Sequence, residues 1–93
     1  MEQLQVRLME WRNEEIVVDL ASTYIALGRL RKLGADYIEL ADADMHDMRD
    51  TKTSRENYIV KARLHGIQAN RATLIIRMSD IVGISRFDDV IAG

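Results

Sequence analysis

The chain has no cysteine and no proline. Without thiols there is no disulfide framework and no thiolate metal site, a composition that suits a reducing compartment. Without proline, and with no Gly/Ser-rich stretch, nothing marks an internal linker. The 93 residues are near the size at which one core just suffices, so a single domain over residues 1–93 is expected. No apolar run approaches the roughly 18 residues that cross a bilayer, and no basic-then-apolar segment opens the chain. The expectation is a soluble, cytoplasmic protein with no membrane contact.

The groups that catalysis needs are also missing. There is no Gly-x-Ser-x-Gly elbow, no phosphate-binding loop and no histidine pair at helical spacing. Two histidines and scattered carboxylates do not make a nucleophile, base and orienting group. Asp42, Asp44, His46 and Asp47 form an oxygen-rich cluster, but they lack the glycine and terminal glutamate of a calcium loop. One histidine does not make a zinc site. The chain reads as a non-enzyme, with no cofactor and no metal.

Charge is present and unevenly spread. Residues 1–51 carry 11 acidic and 6 basic side chains, whereas Lys52, Arg55, Lys61, Arg63, Arg71 and Arg77 face Glu56 alone within residues 52–77. Such a basic stretch can meet phosphate or an acidic partner, or it can solvate a helix face. Arg55, Lys61 and Arg63 come without interleaved aromatics and support at most non-specific phosphate attraction.

The hydrophobic periods divide the chain. Leu4, Leu8 and Trp11 share a helical face and Leu4, Val6 and Leu8 alternate as a strand would; the helix-favouring composition decides for a short helix over 3–12. From Glu15 the period is two. Ile16, Val18 and Leu20 point one way and Val17, Asp19 and Ala21 the other. After a Ser22-Thr23 turn, Tyr24, Ala26, Gly28 and Leu30 line one face of a long second strand, with Ile25, Leu27 and Arg29 opposite. A glycine in mid-strand marks a bulge, a bend or a close backbone approach. Gly34 ends that strand, and Tyr37 to Ala41 reads as a third, with residues 42–53 a polar loop. Thr53 and Glu56 have the spacing of a capping box, predicting a helix from there to about His65. Gly66 takes the terminating position and Ile67 packs back, with Tyr58, Ile59 and Ala62 as the buried side. His65 complements the helix dipole. Thr73 to Met78 and Ile81 to Ser85 are strands four and five, joined at Ser79-Asp80. Phe87, Val90 and Ile91 form a terminal turn against the barrel end.

Two blocks then read together. Val18 and Leu20, the turn, Gly28-Arg29-Leu30, and Ile38 and Leu40 before Asp42-Ala43 form the first. Ile76-Arg77-Met78, Ser79-Asp80 and Ile81-Val82-Gly83-Ile84 form the second. In this order they resemble the bipartite signature of the Sm-like (LSm) family, over somewhat under half the chain. The resemblance implies a mainly β fold with helices: a small, five-stranded, bent, SH3-like barrel with an N-terminal helix. Here a further helix is inserted between strands three and four, longer than the hairpin most members use.

It also implies a homo-oligomeric ring of five to seven subunits binding single-stranded RNA. The family's pocket uses an aspartate and an asparagine before strand three, completed by the arginine of the second motif. Carried onto this chain, it gives Asp36, Tyr37, Arg77 and Ser79 as candidate RNA contacts. The departures are Met78 where the family has glycine, a loop one residue shorter, and no asparagine, Tyr37 lying nearest its place. A tyrosine and an arginine can stack single-stranded bases; equally, Tyr37 can seat its strand and Arg77 can pair with Asp36 or Asp80. The rival reading is the same fold serving as a protein-assembly module with its RNA pocket lost.

Overall fold

The computed structural model describes residues 2–91. A helix, α1 (Glu2–Met9), precedes three strands, β1 (Glu15–Leu20), β2 (Tyr24–Leu33) and β3 (Tyr37–Asp47). A second helix, α2 (Arg55–His65), and the strands β4 (Arg71–Arg77) and β5 (Ile81–Arg86) complete the chain. All strand pairs are antiparallel, in the order β4-β3-β2-β1-β5. The two edges of the sheet are therefore β4 and β5, strands joined by only a three-residue turn, Met78–Asp80. A connection that short between opposite edges requires the sheet to curl round on itself.

The predicted alternation holds through β1 and β2. Ile16, Val18, Leu20, Ala26 and Leu30 join Ile38, Leu40, Ala43 and Ile76 in one core. Val17, Ile25 and Leu27 face the other way and meet Ile59 of α2 and Phe87. Both faces of β1 and of β2 as far as Gly28 are thus buried. Gly28 sits where the sheet bends, because a Cβ there would lie 3.1 Å from the Ala43 Cβ and 3.2 Å from that of Leu40. The ladder steps from Leu27↔Asp44 to Arg29↔Ala41, so β3 carries one extra residue opposite Gly28. Asp42 takes up the bulge with φ 50°, a left-handed conformation that aspartate tolerates better than most residues.

That bulge corrects the reading of β3. The strand does not end at Ala41 but runs to Asp47. The extra residue shifts the alternation, so that Ala43 and Met45, not Asp42 and Asp44, continue the inner face begun by Ile38 and Leu40. The polar loop is correspondingly shorter.

The helices need smaller corrections. α1 stops at Met9, after which Trp11, Arg12 and Glu14 donate three residues back and Asn13 adopts φ 72°. Leu8 is buried and Trp11 packs on the inner core, but Leu4 is exposed. The cap of α2 is Ser54, not Thr53: the Ser54 hydroxyl accepts from the Asn57 N–H at 3.1 Å. This shift of one residue moves Glu56 out of capping-box register. Thr53 instead donates its N–H to the Thr51 hydroxyl. Gly66 ends the helix at φ 88° as expected, though its ψ of 159° is extended. Tyr58, Ile59, Ala62 and Ile67 form the buried side, and Ile59, at 4 % exposure, contributes about 1.5–3 kcal/mol of apolar burial. In the terminal turn Phe87 is buried and Val90 packs beside it, but Ile91 projects into solvent. No helix among the described residues is long and apolar enough to cross a membrane.

Candidate nucleic-acid interface

The β2–β3 loop and the β4–β5 turn meet at one end of the sheet. Tyr37 and Arg77 are direct register partners across β3 and β4. The Met78 N–H donates to the Asp36 carbonyl at 2.8 Å, joining loop to turn. The loop itself is closed by the Gly34 N–H donating to the Tyr37 carbonyl at 2.9 Å. From α1, the Gln5 amide donates to the Gly34 carbonyl.

This junction brings three of the four sequence-predicted residues together. Asp36, Arg77 and Ser79, with Ala35 and Met78, line a cavity of about 490 Å³. Arg77 lies 79 % exposed, its Nε donating to Asp80 Oδ2 at 2.9 Å while the rest of the guanidinium faces solvent. The cavity can therefore offer cationic donors to a phosphate or a base edge, with the Asp36 and Asp80 carboxylates close by.

Tyr37 is not in that cavity. Its ring lies across Gly34, occupying the space a side chain there would take. It lines a separate hollow of about 280 Å³ with Met9, Arg12, Lys32 and Leu33. The sequence places Tyr37 correctly along the chain but not its ring, whose direction depends on the missing side chain at Gly34.

The basic stretch does not form a ridge. Arg55 turns inward to Asp19 at 3.2 Å and to the Ser22 carbonyl. Arg63 donates to the Phe87 carbonyl and stands 3.5 Å from Asp88. Both arginines tie α2 to the rest of the fold. Lys61 has no acidic partner among the described residues.

The oxygen-rich cluster is dispersed as well. Asp42 pairs with Arg29 at 3.7 Å. Asp47 accepts from Arg49 and from the Thr23 hydroxyl, and the Arg49 hydrogen bonds hold its carboxyl well below the usual carboxylate range. Asp44 accepts from the Tyr58 hydroxyl. His46 stacks on the Tyr58 ring at 4.6 Å between centroids. No group of three or more metal-ligating side chains converges among the described residues. Sequence reasoning missed that Asp44 and Asp47 are buried, since Tyr58 and Thr23, which bond them, lie far away in the chain.

No protein-family model matches the sequence, and no curated protein does. Solved structures do match. The Sm protein of Pyrococcus abyssii, solved in complex with a uridine heptamer, superposes with a TM-score of 0.61 at 21 % identity, over 89 % of this chain and 94 % of that one. The SmAP (LSm) protein from Methanococcus vannielii gives 0.60 at 15 % identity, over 91 % and 96 %. A heptameric archaeal Sm protein gives 0.58 at 18 % identity, over 87 % and 96 %. The fold is that of the Sm-like (LSm) proteins, as the two sequence blocks led us to expect.

Proposed function

We propose that this chain is a non-catalytic, cytoplasmic Sm-like protein that closes into a homo-oligomeric ring of five to seven subunits and binds single-stranded RNA. The observation that carries the proposal is the pair of free edges. Among the described residues β4 and β5 both lack an outer neighbour, and each presents a large apolar side chain to solvent, Ile75 at 60 % and Val82 at 72 % exposure. Unpaired edges are liabilities that proteins cover. An identical neighbour covers them head to tail, β4 of one copy on β5 of the next, and a closing rotation makes a ring. The heptameric archaeal Sm protein shares this fold. In such a ring every subunit repeats the Asp36–Arg77–Ser79 cavity, so that modest contacts to a threaded strand gain avidity. The archaeal Sm protein solved with a uridine heptamer makes oligouridine the first RNA to test.

The second reading, an assembly module without RNA, has its own observation. Arg77 is already engaged by Asp80, and no asparagine accompanies it. Light scattering and fluorescence anisotropy with labelled oligouridine at fixed salt separate the two. The RNA reading expects a ring, binding that favours single strand over duplex, and a loss of about tenfold or more for Arg77→Ala with the ring intact. A monomer at micromolar concentration would overturn both readings. A ring whose binding is absent, or indifferent to Arg77→Ala, leaves the assembly module.

A further inference from the structure

The hollow beside the Tyr37 ring is assembled from three parts of the chain. After α1 stops at Met9, the Asn13 N–H donates to the Leu30 carbonyl at 2.7 Å, and the Leu30 N–H donates to the Glu14 carbonyl at 2.9 Å. This clasp lays the turn after the helix along the end of β2, and Arg12 comes to line the same hollow as Lys32 and Leu33. The β2–β3 ladder steps from Leu30↔Leu40 to Lys32↔Glu39, so β2 carries an extra residue there. Arg31 takes the Glu39 carboxylate at 3.6 Å, and Lys32 is left to the hollow.

Two cations and an apolar wall therefore share about 280 Å³. Arg12 and Lys32 are exposed, and neither forms an ion pair among the described residues. Met9 is 59 % exposed, so apolar surface lies open beside unspent charge. A small inorganic anion would use the cations and leave the wall wet. A purely apolar segment would be buried against two charges without pairing them. A base of a strand needs a ring face to stack on, but the Tyr37 ring is laid against Gly34, with Cδ1, Cε1 and Cζ where a side chain there would stand. Carboxylates beside an aliphatic side chain suit both parts. The Arg12 fork can take one carboxylate through two parallel bonds and Lys32 another as a point charge, while the aliphatic group covers Met9 and Leu33.

We propose that this hollow docks an acidic peptide segment of a partner protein. One aliphatic side chain of the segment enters the hollow, and the carboxylates next to it meet Arg12 and Lys32. Charge complementarity selects the partner and the apolar wall anchors it. The site is complete within one copy of the chain and lies apart from the Arg77 cavity, so it does not rest on the ring reading.

The test uses the full chain and fluorescence anisotropy at low, fixed salt with a dye-labelled peptide, Gly-Asp-Asp-Leu-Asp-Asp-Gly. Its carboxylates flank one leucine on both sides, so either direction of the segment is served. It should bind saturably, with Kd of about 10–100 μM. Replacing the leucine by serine should weaken it about tenfold, and replacing all four aspartates by asparagine about tenfold as well. Arg12→Ala and Lys32→Ala should each weaken the parent peptide about fivefold while melting with the unaltered chain, since both side chains are exposed. No saturable binding up to about 1 mM, equal affinity for the three peptides, or indifference to both substitutions would overturn the site. Labelled oligouridine is the counter-probe. Oligouridine binding that Arg12→Ala weakens as strongly as it weakens the peptide would give the hollow to a nucleic-acid strand and overturn the peptide reading. Oligouridine binding that ignores Arg12→Ala supports it. A chain that is monomeric yet binds the peptide would sink the ring proposal and leave this one standing.

Discussion

Gly34 and Tyr37 compete for one space. A Cβ on Gly34 would lie 1.9 Å from the Tyr37 Cε1, so something must shift. Gly34→Ala must push the ring out of its hollow beside Met9 and Arg12, at a cost of about 1–3 kcal/mol. In a Tyr37→Ala background the same change should cost little, because the obstacle is gone. Denaturant melts of the two single variants and the double variant measure this coupling, and equal costs in both backgrounds would mean that the ring does not lie there. The pair also shows what a motif can and cannot convey. Asp36, Arg77 and Ser79 are brought into one cavity by strand order and turn length, which the spacing of the two blocks encodes. The ring of Tyr37 is aimed by a side chain that is absent, and no spacing records it.

Among the elements, α2 offers the clearest test. Its first turn is held by the Ser54 hydroxyl, so Ser54→Ala should cost about 0.5–2 kcal/mol. Thr53→Ala, one residue outside, should melt within about 0.5 kcal/mol of the parent. Thermal melts followed by circular dichroism check both, and a reversed order would restore the Thr53 cap. β1, α2, β4 and β2 as far as Leu30 were legible because their apolar residues keep one period, and β5, whose Ile81 and Ile84 share the inner face across a register shift, was placed by the turn before it. β3 was not. Its bulge at Asp42 changes the phase partway along, and a strand that changes phase reads as two short pieces or as a loop. The carboxylates in its second half looked solvated for a related reason. Asp44 is satisfied by Tyr58 and Asp47 by Thr23 and Arg49, and only folding brings Tyr58 and Thr23 into range.

At the scale of the whole molecule, two of the basic side chains of residues 52–77, Arg55 and Arg63, fasten α2, while Lys52, Lys61, Arg71 and Arg77 stay exposed. What the molecule offers outward is its two edges. They are unlike one another, and the Met78–Asp80 turn ties them together. Val82 lies where the β5 ladder to β1 shifts register, outside the paired positions. Proline is tolerated at such bulges but leaves no N–H for a further strand, so Val82→Pro should spare the subunit and spoil its outer edge. On the ring reading, such a subunit keeps β4 and can still join a growing arc, but nothing can join it in turn. It is a chain terminator. Co-expressed with the unaltered chain, it should do more than dilute the complete rings: their share should fall as a power of the unaltered fraction, with the ring size as exponent. Native mass spectrometry across a series of mixing ratios would read that exponent directly. A strictly linear decline would mean that the subunits do not meet head to tail. A defect in one copy of the gene would then act dominantly, because unlike edges make every subunit answerable for the closure of the rest.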